Sequence, residues 1–327
     1  MSAEEIPQIS VVIGCHLDGP ELLTTLDSIA VQRDAPPWEC LIVANGSFQA
    51  GESLKLRLAC DHRFRFLYSS HGGLTEALRL GCSQARGTFI ARIDVGDVME
   101  SKRLRRQAEA LGDDQAVVFA TSAVEICGPR WEPLWVNRGS HDLAGVPTRV
   151  DQLPASQGLT MDIPHHSSVM FRSDAYQAVG GYRSQFYFGQ DWDLWYRLAA
   201  AGSFVHLQEV LTRVRLFTGG LSSRHWREQR NIARLSRACY QARRQGQSEA
   251  ELLKQAASIC PRPRAQHRPR WDGRRAEGAY FIAEALRRNG DRRCFGYFCE
   301  ALRYGFWKPR VWIRAIQSLL TISAFPH

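Results

Sequence analysis

Short apolar runs alternate with amphipathic stretches through the first 120 residues. Residues 9–13, 40–43, 64–68, 88–93 and 116–120 read as strands, the first two as buried ones. Between them, residues 21–32 place Leu22, Leu23, Leu26, Ile29 and Ala30 on one helical face. Residues 53–60, 74–85 and 102–111 have helical spacing as well. Strands separated by helices of this length predict right-handed crossovers and a parallel sheet. Open sheets of that kind bind ligands beyond the carboxyl ends of their strands. That rule singles out residues 14–18, 44–47 and 94–97, which follow the first, second and fourth strands. No GxGxxG or GxxxxGK[ST] occurs in these turns, so dinucleotide and P-loop chemistry lack their mechanism.

Periodicity weakens over residues 128–165, which are rich in Pro, Gly and Trp and read as irregular. Residues 168–171 then read as a strand and 173–179 as a helix closed by Gly180-Gly181. Residues 191–201 form a strongly amphipathic helix closed by Gly202, and two apolar runs follow at 204–207 and 211–217. Beyond Ser222 the chain turns helical and basic. Residues 261–270 read as an exposed linker, and 276–288 with 292–304 as a helical hairpin. There is no convincing internal repeat.

Composition narrows the classes. In 327 residues, 44% are hydrophobic and 23% charged, the balance of a soluble globular chain rather than a disordered or fibrous one. No uncharged apolar run reaches the roughly 18 residues of a spanning helix, and Arg314 breaks the most apolar tail, 311–325. The first ten residues carry Glu4 and Glu5 and no basic residue, unlike a secretory signal. Nine cysteines without a CxxC suggest reduced, mostly buried thiols in the cytoplasm. The net charge of +9 is uneven. Residues 221–327 hold 22 Lys+Arg against 8 Asp+Glu, while residues 1–220 hold 20 against 25. A near-neutral body, 1–225, followed by a basic extension, 226–327, is therefore expected.

Six blocks, in order, carry a family resemblance. They are Ile9-Ser-Val-Val-Ile13, Leu41-Ile-Val-Ala-Asn-Gly-Ser47, Gly72-Gly-Leu-Thr-Glu-Ala-Leu78, Gly87-Thr-Phe-Ile-Ala-Arg-Ile-Asp-Val-Gly-Asp97, His166-Ser-Ser-Val-Met-Phe-Arg172, and Gly180-Gly-Tyr182 leading to Gln190-Asp-Trp-Asp-Leu-Trp-Tyr-Arg-Leu198. In these the chain resembles inverting family-two glycosyltransferases over roughly residues 8–225. The resemblance implies an α/β, A-type glycosyltransferase fold: a Rossmann-like nucleotide-sugar domain with a mostly parallel central sheet. It also implies transfer of a sugar from a nucleotide-sugar donor to an acceptor hydroxyl or amine, with inversion. Such chemistry needs something to offset the diphosphate charge that grows as the glycosidic bond breaks. It also needs a carboxylate base on the opposite face to take the acceptor's proton.

The family's base falls in an acidic pair heading a helix after an aromatic stretch. Here that reads Phe188-Gly-Gln-Asp191, with Asp191 at the base position and Gln190 in place of the usual Glu. A plain helix N-cap is the bland reading of Asp191. The donor side departs further. An Asp-x-Asp-Asp run is expected after the fourth strand, but the chain has Asp94-Val95-Gly96-Asp97. A His expected near the last core strand is Phe217, and the early acidic pair is Ala44-Asn45. Asp94 and Asp97 are thus the candidate ligands of Mg²⁺ or Mn²⁺, with turn chemistry as the alternative. Arg92, Arg213 or Arg215 could instead offset the diphosphate without metal. His16, Asn45, Arg92, Asp94, Asp97 and His166 make up the expected donor-binding set. A structural His is the competing reading of His16, and positioning of its own turn that of His166.

Expected partners are a nucleotide sugar and a glycan, lipid-linked or small-molecule acceptor, in polysaccharide or glycoconjugate biosynthesis. The arginine-rich, aromatic extension suggests peripheral contact with the inner face of a membrane, or else a solvated helical cap. Nucleic acid is not expected, since no recognised module is present. Loss of Ala44, Gly96 and Phe217 motivates the rival of a catalytically degenerate scaffold or binding protein. A sugar nucleotidyltransferase would want a Gly-rich basic loop after the first strand, which His16-Leu17-Asp18-Gly19-Pro20 does not supply.

Overall fold

The computed structural model describes residues 6–46, 48–139, 145, 147–148, 164–218, 226–260 and 273–322. Strands β1 (Ile9–Cys15), β2 (Trp38–Asn45), β3 (Phe64–Ser69) and β4 (Phe89–Arg92) alternate with helices α1 (Pro20–Ala30), α2 (Glu52–Cys60) and α3 (Leu74–Gln84). β1 pairs in parallel with both β2 and β4, and β2 with β3, as crossover helices require. Then come β5 (Val98–Met99), α4 (Arg103–Leu111), β6 (Val117–Cys127) and β7 (Pro133–Asn137). A 3₁₀ turn (His166–Ser168) leads into β8 (Met170–Arg172), α5 (Ser173–Ala178), α6 (Gln190–Ala201) and β9 (Ser203–Arg215). The strand order is β3-β2-β1-β4-β8-β6-β9-β5, with β7 beside β6. β8 enters antiparallel between β4 and β6, and β5 lies antiparallel to β9.

Apolar alternation explains why both faces of the sheet are covered. Val11, Ile13, Cys40 and Ile42 pack with Leu22, Leu26 and Ile29 of α1 and with Leu104 of α4. Val12, Leu41 and Val43 point the other way, among Ala77 and Leu78 of α3 and Trp195 and Leu198 of α6. Close approach on that second face needs Gly81: a Cβ there would meet Val12 Cγ1 at 2.5 Å and Val43 Cγ2 at 3.0 Å.

The remaining helices are α7 (Trp226–Arg244), α8 (Ala250–Ser258), α9 (Gly273–Arg288), α10 (Cys294–Gly305) and α11 (Pro309–Ile322). By packing, the chain divides into two compact units. One comprises Met1–Val124, Asn137–Val214 and Arg230–Cys260; the other comprises Glu125–Val136, Arg215–Gln229 and Pro261–His327. This division differs from a boundary at 225/226. Ile232 and Cys239 of α7 and Ala256 of α8 pack on Phe186 and Phe188, ahead of α6. In the second unit, the buried Glu132 carboxylate accepts hydrogen bonds from Tyr297 Oη and from the Arg130 backbone N–H, both at 2.8 Å.

Two sequence expectations are corrected, and the tail gains an element. The two apolar runs at 204–207 and 211–217 are one strand, β9, because the intervening Gln208, Glu209 and Val210 stay in extended pairing at the sheet surface. The expected irregular stretch contains β7. The apolar tail begins as a helix, α11, started by a proline at its first position. The expected linker at 261–270 lies outside the described residues, as does Ser47.

Candidate functional site

The loop after β4 is built from the backbone outward. Gly96, at φ +96°, turns the chain, and the Asp97 N–H donates to the Asp94 carbonyl at 3.2 Å. Thr25 on α1 accepts from the Gly96 N–H at 2.9 Å and donates to the Asp97 carbonyl at 2.8 Å. Ser167, in the 3₁₀ turn, accepts from the Asp94 N–H at 3.0 Å and donates to Asp97 Oδ2. Asp97 is only 5% exposed, so its carboxylate is spent on the turn. This is the turn chemistry that competes with a ligand role.

Asp94 projects from the same turn with its side chain 35% exposed. Oδ1 accepts from the Arg92 guanidinium, and Oδ2 lies 3.5 Å from His166 Nδ1. Burial would raise its pKa, but Arg92 and His166 beside it hold the carboxyl well below its usual range. Arg92 is completely buried and also donates to the carbonyls of Val12, at 2.7 Å, and Ile93. A donor phosphate would therefore meet Arg92 only through Asp94. Of the other two candidate arginines, Arg213 stands opposite Val98 in the β5–β9 pairing, and Arg215 Nε donates to the Pro129 carbonyl at 2.8 Å.

His166 is 8% exposed, and its Nε2 lies 3.2 Å from Tyr182 Oη. Its neighbour His165 caps the 3₁₀ turn, Nδ1 accepting from the Ser167 N–H at 3.3 Å. Burial pushes the His165 pKa down, while the charges of Asp94 and Asp191 pull it back up.

Asp191 owes its place to Gly189, which caps α6 in the left-handed region at φ +58°. A Cβ there would be strained and would meet Ile232 Cγ2 at 2.8 Å. Asp191 stands in the first turn, partly exposed, and among the described residues it has no hydrogen-bond or ion-pair partner. Asp193, two residues on, is fully buried. It accepts from Arg197 Nε and Nη2 at 2.9 and 2.7 Å and lies 3.7 Å from Arg183 Nη1 and 4.0 Å from Arg243 Nη1.

Asn45 ends β2 and donates to the Gly73 carbonyl at 3.3 Å, tying its amide to the entry of α3. His16 is exposed just beyond β1. Both sit at the carboxyl edge of the parallel strands. The structure thus gathers Arg92, Asp94, Asp97 and His166 into one bonded cluster, while no hydrogen bond or ion pair joins Asp191 to it among the described residues. His16 and Asn45 make no contact with that cluster among the described residues. Reading the sequence missed His165 and Tyr182 as site residues; the tandem His165-His166 was the available signal.

A divalent cation prefers several open oxygen ligands. Here both Asp94 oxygens face Arg92 and His166, and Asp97 is bonded to Ser167. Among the described residues no group of three His, Cys, Asp or Glu side chains is placed to hold a metal. The residues present do not fit a resident cation.

The sequence profile described as "Glycosyl transferase family 2" matches residues 10–179, just over half of the chain. The chain belongs to glycosyl transferase family 2. The match covers β1 through α5 and includes every donor-side candidate, ending ahead of Asp191. An uncharacterized glycosyltransferase of Rickettsia conorii is 21% identical over 204 residues, covering 62% of this chain and 33% of the relative. The chain therefore spans about a third of that relative's length. The O-antigen biosynthesis glycosyltransferase WbnJ of Escherichia coli is 25% identical over 205 residues, 61% of this chain and 74% of WbnJ. Among solved structures, Staphylococcus aureus TarS 1-349 superposes with a TM-score of 0.52 at 14% identity, over 96% of this chain and 80% of that one. The mannosyltransferase PcManGT of Pyrobaculum calidifontis, in complex with GDP-Man and Mn²⁺, gives 0.52 at 14% identity over 98% and 86%. The fold is the α/β, A-type glycosyltransferase fold expected from the sequence.

Proposed function

We propose that the protein is an inverting glycosyltransferase that passes one sugar from a nucleotide-sugar donor to an acceptor hydroxyl or amine. The observation that carries this reading is that His166, 3.5 Å from Asp94 Oδ2 in the loop after β4, also stands against α6, its ring centroid 6.1 Å from that of Trp195. On this reading donor and acceptor lie between that loop and the head of α6. Asp191, partly exposed at the helix head, accepts the acceptor's proton as the nucleophile attacks the anomeric carbon. In-line displacement needs one base and no protein nucleophile. Asp94, His165 and His166 line the donor side, with Asn45 and His16 at neighbouring strand ends where a nucleotide base would lie. On this reading catalysis belongs to residues 1–225, with α7 and α8 of the basic extension, 226–327, packed on Phe186 and Phe188 ahead of α6. The name of one relative, the O-antigen biosynthesis glycosyltransferase WbnJ, supports a place in polysaccharide biosynthesis.

TarS has been solved with UDP and with UDP-GlcNAc, and PcManGT with GDP-Man and Mn²⁺, so UDP- and GDP-sugars are the donors to try first. The lack of a fitting cation site favours donor binding without metal. It equally favours a second reading, a family member that keeps the fold and has lost catalysis, to which Ala44, Gly96 and Phe217 also point. Calorimetric titration with a panel of nucleoside diphosphates, with and without Mn²⁺, separates them. Metal-independent binding of one nucleotide is the expected result. Failure to bind any nucleotide in either condition favours the scaffold.

A further inference from the structure

Helix α11 carries apolar residues on two faces. Val311 and Ser318 are buried, seven residues apart, and seat one face. On the other, Trp312, Ile313 and Ile316 follow the i, i+1, i+4 spacing of a single stripe and are 49%, 53% and 54% exposed. Phe306 and Trp307, immediately before the helix, are also exposed and meet edge to face with centroids 5.4 Å apart. The Trp312 indole N–H donates to the Phe306 carbonyl at 2.8 Å, which fixes the bend between the two aromatic groups. Large apolar side chains gathered in one short segment are not what a monomeric surface ordinarily leaves open to water.

The charges around the stripe indicate what covers it. Residues 273–322 hold ten Lys+Arg against four Asp+Glu. Arg310 is exposed and has no acidic partner among the described residues, and Arg314 is held only 3.8 Å from Glu284. An anionic surface accepts both cations and the aromatic rings, whose amphipathic bodies suit the interface between water and hydrocarbon. No helix among the described residues is long and apolar enough to cross a membrane, and α11 has 14 residues where a span needs about 20. The geometry points to α11 and the preceding Phe306-Trp307 as the surface on which the protein lies on an anionic lipid bilayer, with Trp312, Ile313 and Ile316 inserted and Arg310, one turn before Ile313, at the headgroups.

The test is co-sedimentation of the full chain with vesicles of phosphatidylcholine alone and of phosphatidylcholine with phosphatidylglycerol. It needs neither donor nor acceptor, so its failure leaves the transferase reading untouched. Binding to the phosphatidylglycerol vesicles is expected, falling tenfold or more at about 1 M salt, where the screening length is about 3 Å. Ile313→Ser with Ile316→Ser, which keeps the Trp312 bond to Phe306, should reduce binding tenfold or more, and Trp312→Ser added to them should reduce it further. Arg310→Gln should lower the preference for anionic lipid several-fold, the worth of about one cation near the surface. No binding to phosphatidylglycerol vesicles overturns the inference, and so does a triple variant that binds as well as the parent. A wild-type dimer in light scattering that the triple variant abolishes, without any vesicle binding, would assign the stripe to a second copy instead.

Discussion

The two ends of one sheet treat a carboxylate differently. At the amino end of β2, Glu39 accepts from Arg65 at 2.6 Å, from the Arg86 N–H at 2.8 Å and from Ser10 at 2.8 Å, and its side chain is 2% exposed. At the carboxyl end of β4, Asp94 also faces an arginine, yet keeps 35% of its side chain open. Glu39 is consumed by holding three strands and the turn before β4 together. Asp94 is held just firmly enough to stay ionised and aimed outward. The same contrast recurs within one helix, between Asp191, which is partly open, and Asp193, which is fully buried among Arg183, Arg197 and Arg243. Arginine beside a carboxylate therefore says little by itself; the solvent left on the carboxylate separates scaffold from site.

The sharpest way to break the contrast is at α6. Asp191→Asn should lower transfer by roughly 10²–10⁴-fold, the usual weight of a general base, with an unchanged thermal midpoint. Steady-state kinetics and a melting curve on the same sample check both halves. Asp193→Asn should do the reverse. It leaves the buried Arg197 without its counter-charge, at a cost of about 3–5 kcal/mol in urea unfolding.

Glu39→Gln should cost less, about 2–4 kcal/mol, because Arg65 and Arg86 are 31% and 41% exposed and regain water. It should leave kcat unaltered. Burial works to raise the Glu39 pKa, but the bonds from Arg65, Arg86 and Ser10 hold it below the ordinary 4.5. The folded form thus binds this proton less readily than the unfolded one. The stability Glu39 contributes is complete above about pH 4.5 and is lost as the pH falls through the folded value. Stability measured from pH 6 downward should decline less steeply in Glu39→Gln, and an identical acid limb would count against the assignment. Asp94→Asn leaves the fully buried Arg92 without its counter-charge and should likewise cost about 2–4 kcal/mol, accompanied by weaker nucleotide binding in calorimetry.

Much of this architecture is legible in the sequence for a physical reason. Strands buried on both faces must be nearly all apolar, and the helices covering them must carry one apolar stripe, so β1, β2 and α1 stand out. The head of α6 is legible because Gly189 and the aromatic residues before it mark a helix start; the role of Asp191 as base is what the family resemblance implies. What escapes the sequence is long-range pairing. Nothing near Asp193 announces Arg243, fifty residues away, and nothing around α7 announces its packing on Phe186 and Phe188. Arg92 misleads for the opposite reason: an arginine next to a strand-end aspartate suggests phosphate, but only the fold reveals that its guanidinium is sealed against the Val12 carbonyl.

The central claim is that the β4 loop and the head of α6 together move a sugar, with Asp191 as base. Mass spectrometry of an acceptor mixture incubated with UDP- and GDP-sugars tests it most directly, run in parallel on the parent and on Asp191→Asn. The account predicts a single-sugar mass increment in the parent that disappears in the variant, while calorimetry finds the same nucleotide affinity in both. An equal yield of that product from Asp191→Asn would contradict it.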